Sequence, residues 1–208
     1  MAKLETIRAF IAVRLSAEVT NEVARFEKEL RRDLSGESVK VTWVPPANIH
    51  QTIKFLGPID PALVDALAKT LRGMGSAVEP FSVTARGFGA FPSAKAPRVL
   101  WVGLEDSEGR LETLFRGVED ALEAMGFPRE RRPFSPHLTL GRVRKGALDL
   151  TERVESWKDR EFGVSRVAEV LLYESRLRRA GAEYVVLARA ALGGQPEVAD
   201  QGGAGAQT

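Results

Sequence analysis

Two imidazoles dominate the chemistry open to this chain. It holds two histidines and no cysteine in 208 residues. Each histidine is followed two positions later by a threonine and then an aliphatic residue, as His50-Gln51-Thr52-Ile53 and His137-Leu138-Thr139-Leu140. With ten threonines in the chain, that match at both sites is about a one-in-four-hundred event, so the spacing is read as built rather than accidental. An imidazole with an unperturbed pKa of about 6.5 can give or take a proton near neutrality. Two of them facing one cavity can work in opposite charge states, as displacement at phosphorus asks. The neutral ring takes a proton from the attacking oxygen and the imidazolium supplies one to the leaving oxygen, each role contributing about 10²- to 10⁴-fold. Threonine hydroxyls and a nearby arginine would hold the non-bridging phosphoryl oxygens. The scheme calls for no metal and no cofactor.

A spacing of two has structural meaning on a strand, where side chains alternate between faces. The first motif then turns His50, Thr52 and Lys54 to one side and Ile49, Gln51, Ile53 and Phe55 to the other. In the second, Leu138 and Leu140 oppose His137 and Thr139. Each strand can bury its aliphatic face while presenting imidazole and hydroxyl to a cleft.

These segments in their context, His50-Gln51-Thr52-Ile53-Lys54-Phe55-Leu56-Gly57 and Phe134-Ser135-Pro136-His137-Leu138-Thr139-Leu140-Gly141-Arg142, resemble the two HxTx signatures of the 2H phosphoesterase superfamily. The likeness is greatest to its RNA 2′,3′-cyclic phosphodiesterases, also called 2′-5′ RNA ligases, and runs from about Arg8 to about Arg189. It takes in Phe91-Pro92 and Pro97-Arg98-Val99-Leu100-Trp101-Val102-Gly103 between the motifs. The resemblance implies metal-independent opening of a terminal 2′,3′-cyclic phosphate on RNA, or of a cyclic nucleotide, to a 2′-phosphomonoester. It implies His50 as proton donor, His137 as proton acceptor and Thr52 and Thr139 as phosphate ligands. Arg132 and Arg142 resemble family arginines flanking the second motif. By strict alternation, however, Arg142 falls opposite His137 unless a bulge brings it back. Among Trp43, Phe55, Trp101 and Phe134, which could stack on a base, Phe134 is favoured for its place beside the motif, and Phe55 is expected on the buried face.

The rest of the chain must hold two strands face to face. A strand over Thr6 to Val13 precedes a helix capped by Ser16, with Val19, Val23, Phe26, Leu30 and Leu34 on one stripe. Val39 to Val44 reads as a strand stopped by Pro45-Pro46. Asp60-Pro61 opens a second helix, and Ser107 is expected to cap a third, with Leu111, Leu114, Phe115, Val118 and Leu122 on one face. Phe91 to Pro97 is read as the link between halves. Gly87-Phe88-Gly89 lacks the rest of a dinucleotide fingerprint and reads as a bend in a strand. A short helix near Leu150 to Trp157 and strands near Phe162, Val167 to Tyr173 and Tyr184 to Ala188 complete the pattern. The expectation is an α+β fold of two pseudo-symmetric lobes. Mostly antiparallel sheets carry outer helices and flank a central cleft holding both HxTx strands. Residues 1–192 form the domain, and 193–208, rich in Gly, Ala and Gln, form a flexible tail.

Composition narrows the function classes. Without cysteine there is no disulfide, thiolate zinc site or thiol nucleophile, and neither motif has metal-ligand spacing. No signal-peptide h-region or apolar run of membrane-spanning length is evident, so a cytoplasmic monomer is expected. Net charge is +2 with a pI near 9.0. Cations cluster before the second motif at Arg129, Arg131 and Arg132 and after it at Arg142, Arg144 and Lys145, which suits an anionic substrate. A lone histidine is usually structural; the duplicated threonine argues otherwise. The alternatives are 2′-5′ ligation, the reverse reaction, and an RNA-end binding module without turnover.

Overall fold

The computed structural model describes residues 5–178 and 181–193. Nine strands and four α-helices, joined with short 3₁₀ turns, follow in the order β1 (Ile7–Val13), α1 (Ala17–Asp33), β2 (Lys40–Trp43), β3 (Gln51–Ile59), α2 (Val64–Gly75), β4 (Phe81–Phe91), β5 (Val99–Glu105), α3 (Arg110–Glu123), β6 (His137–Lys145), α4 (Thr151–Trp157), β7 (Glu161–Val167), β8 (Glu169–Arg178) and β9 (Gly181–Ala191). They form two antiparallel sheets, one ordered β3-β1-β8-β9 and the other β2-β6-β5-β4-β7. The α+β class and the two sheets are as expected, with one motif in each sheet.

The halves of the sequence do not map onto the sheets. The first sheet takes β1 and β3 from the N-terminal half and β8 and β9 from the C-terminal half. The Phe91 to Pro97 loop joins β4 to β5, which pair directly, so it is the turn of a hairpin inside one sheet rather than the link between lobes. Helices cross over as well. The helix α1 follows a strand of the first sheet but packs on β7 of the second, whereas α3 follows a strand of the second and packs on β3 of the first. Hydrophobic stripes on these helices meet the outward faces of the opposite sheet, and the result is one continuous core from Ile11 and Leu67 to Leu100, Leu122 and Phe162.

The strand β1 shows why its sequence alternates poorly. Ala9, Ile11 and Val13 enter the main core, while Phe10 and Ala12 join Leu171 and Tyr173 in a separate apolar layer on the other face of the sheet. Caps agree in part with the sequence. Ser16 Oγ accepts from Val19 N, and Asp60 accepts from Ala62 N. At α3, Asp106 rather than Ser107 caps, accepting from Glu108 N and Leu111 N, because Gly109 in a left-handed conformation is the N-cap and sets the helix start two residues later. Gly193, assigned to the tail, donates its N–H to Val78 O at 2.8 Å; the remainder of that tail, residues 194–208, lies outside the described residues.

Two bulges overturn three assignments made from period-two alternation, those of Lys54, Phe55 and Arg142. In β3, Ala12 faces Thr52 and Ile11 faces Lys54, so Ile53 has no partner on β1. The phase shifts there, and Lys54, expected beside His50, turns inward. Its Nζ donates to Glu119 Oε1 at 2.6 Å and to Pro128 O at 2.8 Å, while Glu119 Oε2 accepts from Glu130 N at 2.9 Å. Phe55 is thereby moved from the core to the opposite side and is 67% exposed. In β6, Trp101 pairs with Thr139 but Leu100 pairs with Gly141. Leu140 is the extra residue, and Arg142, paired with Val99, returns to the face of Thr139.

The Lys54–Glu119 pair is buried on both sides, and a buried charge stripped of its partner is costly. Lys54→Met alone is expected to lower unfolding free energy by about 3–5 kcal/mol in urea titration. Lys54→Met combined with Glu119→Leu should recover most of that loss. Equal destabilisation of single and double variants would contradict this account.

Candidate active site

Each histidine stands where a chain segment enters its strand, His50 just before β3 and His137 as the first residue of β6. Both rings are held in the same way. His50 Nδ1 lies 2.6 Å from Asn48 O, and His137 Nδ1 lies 2.6 Å from Ser135 O. A carbonyl only accepts, so each Nδ1 carries the hydrogen and each neutral ring keeps its lone pair on Nε2. His50 Nε2 is 2.9 Å from Thr52 Oγ1, which confirms that histidine and threonine share a face. Among the described residues no such bond joins His137 to Thr139, and Thr139 instead sits opposite Trp101 on β5.

Aromatic rings set the position of both imidazoles. Phe10 lies 5.0 Å from His50, and Tyr184 meets it edge-on at 5.3 Å, with Tyr173 at 6.4 Å. These include both tyrosines of the chain, and burial raises the pKa of each. Phe55 joins this group through Phe10, 6.0 Å between centroids. On the other side Phe91 packs edge-on against His137 at 5.0 Å, with Trp101 at 6.4 Å. The Trp101 indole lies so close over Gly89 that a Cβ there would come within 2.2 Å of its ring. The glycines flanking Phe88 therefore serve a bend and a slot for tryptophan. Sequence reasoning missed Phe10, Tyr173, Tyr184 and Phe91. They come from β1, β8, β9 and β4, and strand adjacency, which brings them to the motifs, is not written in the linear pattern.

Two arginines complete the polar surroundings. Arg14 follows β1, whose Val13 pairs with Gln51, and its charge bears on His50. Arg142 bears likewise on His137 and on Tyr184. Arg14 also was missed, although its place beside the first motif follows from that pairing. Arg132 is engaged by Glu130 at 2.7 Å, which helps hold that carboxyl down at about 2. Phe134 stacks face to face on Phe115 of α3 at 4.3 Å, so one face of the favoured stacking residue is occupied by core packing. Trp43 sits under the Arg31 guanidinium. The upstream cationic cluster is thus partly neutralised, Arg129 by Asp120 and Glu123, and of the sequence candidates Arg142 is the arginine brought to an imidazole.

Burial lowers the pKa of both histidines below the ordinary value, opposed in each case by the carbonyl on Nδ1. For His50 the charges of Arg14 and His137 add to the depression. His137 is lowered further by Arg142. Among the described residues no group of three or more His, Asp or Glu side chains is arranged to hold a metal ion, and no helix is long and apolar enough to cross a membrane.

Comparison with known proteins agrees with this geometry. A family model described as LigT like phosphoesterase matches residues 13–101 and again residues 102–184. The RNA 2′,3′-cyclic phosphodiesterase of Aquifex aeolicus is 31% identical over 193 residues, covering 92% of this chain and 100% of the relative. That of Methanothermobacter thermautotrophicus is 34% identical over 180 residues, covering 86% and 95%. Among solved structures, one from Thermus thermophilus aligns with a TM-score of 0.75 at 27% identity, covering 91% of this chain and 100% of that one. E. coli LigT in apo form aligns at 0.70 and 25%, covering 90% and 98%. With one histidine–threonine motif on each of two antiparallel sheets, the chain belongs to the LigT-like phosphoesterase family.

Depressed histidine values have a thermodynamic sign. Below pH about 6.5 the unfolded chain binds more protons than the folded one. Stability should therefore fall as pH drops from 7 through that window. A histidine-ring NMR titration is expected to show both midpoints below 6.5. The urea midpoint should drop less between pH 7 and 5.5 in a His50→Gln, His137→Gln double variant than in the parent. Midpoints at or above 6.5 would contradict the burial account.

Proposed function

We propose that this protein hydrolyses the terminal 2′,3′-cyclic phosphate of RNA, or a 2′,3′-cyclic nucleotide, to a 2′-phosphomonoester. Water attacks phosphorus while His137 Nε2 takes its proton, and the bond from phosphorus to the 3′-oxygen breaks as His50 Nε2–H protonates that oxygen. The observation that carries this reading is the repeated Nδ1-to-carbonyl bond, which leaves the lone pair of each neutral ring on Nε2. The names of the relatives from Aquifex and Methanothermobacter support the substrate class, as does the E. coli LigT structure in complex with 3′-AMP.

The division of roles follows the family resemblance and fits the local partners. His50 Nε2 faces the Thr52 hydroxyl, which can accept the N–H of the charged ring until the leaving oxygen needs it. Among the described residues His137 Nε2 has no protein partner, leaving its lone pair for water. Thr52, Thr139, Arg14 and Arg142 are assigned to the non-bridging oxygens, where fixed donors strengthen as charge gathers in the transition state. Both imidazoles are pushed toward neutrality in the free protein, so the anionic substrate itself must promote protonation of His50. The active unit is taken to be a monomer, because one chain supplies every group in the scheme, and its location is taken to be the cytoplasm from the cysteine-free sequence.

On a 2′,3′-cyclic nucleotide in excess chelator, His50→Ala and His137→Ala are each expected to lose about 10²- to 10⁴-fold in kcat. Because bound phosphate raises the imidazole values, the bell in kcat/KM should lie at lower pH than the bell in kcat. Turnover retained by both alanine variants, or abolished in the parent by chelator, would overturn the proposal.

A further inference from the structure

The middle residue of the first motif does something that neither the acid and base roles nor the phosphate contacts explain. Gln51 occupies a core-facing position between Ile49 and Ile53, where an aliphatic residue would be ordinary, and is 1% exposed. Burying an amide there is favourable only when its hydrogen bonds are made. Both are: its Oε1 accepts from His137 N at 2.6 Å, and its Nε2 donates to Thr52 O at 2.5 Å. An N–H only donates and a carbonyl only accepts, so the two partners fix the orientation of the amide.

The bond to His137 fills a gap left by the sheet. Pro136 O accepts from Leu104 of β5, and the C=O and N–H of one trans peptide point oppositely, so the His137 N–H faces the β2 side. There β2 has already stopped. Trp43 pairs with Gly141, Val44 N reaches Leu140 O, and Pro45 and Pro46 then lead the chain away without an N–H to offer. The Gln51 side chain stands in for the missing strand. Among the described residues it is the one direct hydrogen bond between β3 and β6, the strands of different sheets that carry the motifs.

We propose that Gln51 is a positioning residue that sets the separation and attitude of the two imidazoles by holding the His137 backbone from within the first motif. It is covalently flanked by His50 and Thr52, so any movement of the acid relative to the base must stretch this bond. Lys54 reinforces it from the same strand by holding Pro128 O, nine residues upstream of His137. The proposal rests on the two-imidazole mechanism above, and its test separates the two.

Gln51→Met keeps a similar volume and removes both bonds. On a 2′,3′-cyclic nucleotide it is expected to lower kcat by about 10- to 100-fold, the scale on which misplacing a reacting group by an ångström acts, with KM changed less than about threefold. Gln51→Glu retains an acceptor for His137 N–H and should recover at least about tenfold of that loss relative to the Met variant. With two histidines in the chain, ring NMR of the free protein gives one signal for each. The His137 signal should move in Gln51→Met while the His50 signal stays. A folded Met variant with parental kcat, or with an unmoved His137 signal, overturns the proposal. So does a Glu variant as impaired as the Met variant; should the Met variant not fold, a Glu variant losing more than about tenfold against the parent overturns it. The NMR arm needs no turnover, so activity surviving in both His50→Ala and His137→Ala would sink the mechanism and leave Gln51 to be judged by the ring signals.

Discussion

A backbone carbonyl cannot donate a hydrogen bond, and the site depends on that asymmetry at two places. Asn48 O and Ser135 O each face an Nδ1 at 2.6 Å, so the hydrogen of each neutral ring is on the inner nitrogen. The outer nitrogen of each neutral ring thereby keeps its lone pair. The carbonyl lies two residues upstream in both cases. Before β3 a 3₁₀ turn over Pro46–Asn48 ends in extended backbone at Ile49, and before β6 Pro133 and Pro136 disfavour helix. Tautomer, ring orientation and chain path are consequences of one local arrangement used twice.

Around it the sheets supply complementary environments. His50 rests on a layer of Phe10, Tyr173 and Tyr184 that forms the second face of a doubly buried strand. His137 is bounded by Phe91 and Trp101 on hairpin strands of the other sheet. Low polarity beside each ring favours the uncharged form, and the flanking arginines push in the same direction. The arrangement is electrostatically unfavourable to cations and favourable to an anion.

Much of this was legible from residue types. The duplicated histidine and threonine spacing identified both motifs, and the helical stripes and proline stops located most elements. What alternation could not reveal were the bulges at Ile53 and Leu140. A single inserted residue exchanges the faces of everything beyond it, which is why Phe55 emerged on the aromatic side, Lys54 went inside and Arg142 rejoined the motif. Nor can a one-dimensional pattern show which strand lies beside which. The assignment of Phe91 to Pro97 as an inter-lobe link failed because strands of one sheet are drawn from both halves. Arg14 and the two tyrosines escaped notice for the same reason. Phe134 and Arg132 were placed by closeness in sequence, and their contacts with Phe115 and Glu130 show how little that says about closeness in space.

The crossed helices bear on how such a chain can arise. Since α1 covers β7 and α3 covers β3, each half clothes the apolar surface of a sheet that the other half helps to build. The same family model matches the two halves in succession. A polypeptide of half this length would leave its helix without a sheet and its sheet without a helix, and could satisfy both only by embracing a second copy of itself. Such a pair would hold one histidine per subunit and its reaction centre on the dyad. Fusion into a single chain then frees the surroundings of the two rings to diverge, which identical subunits cannot do by sequence.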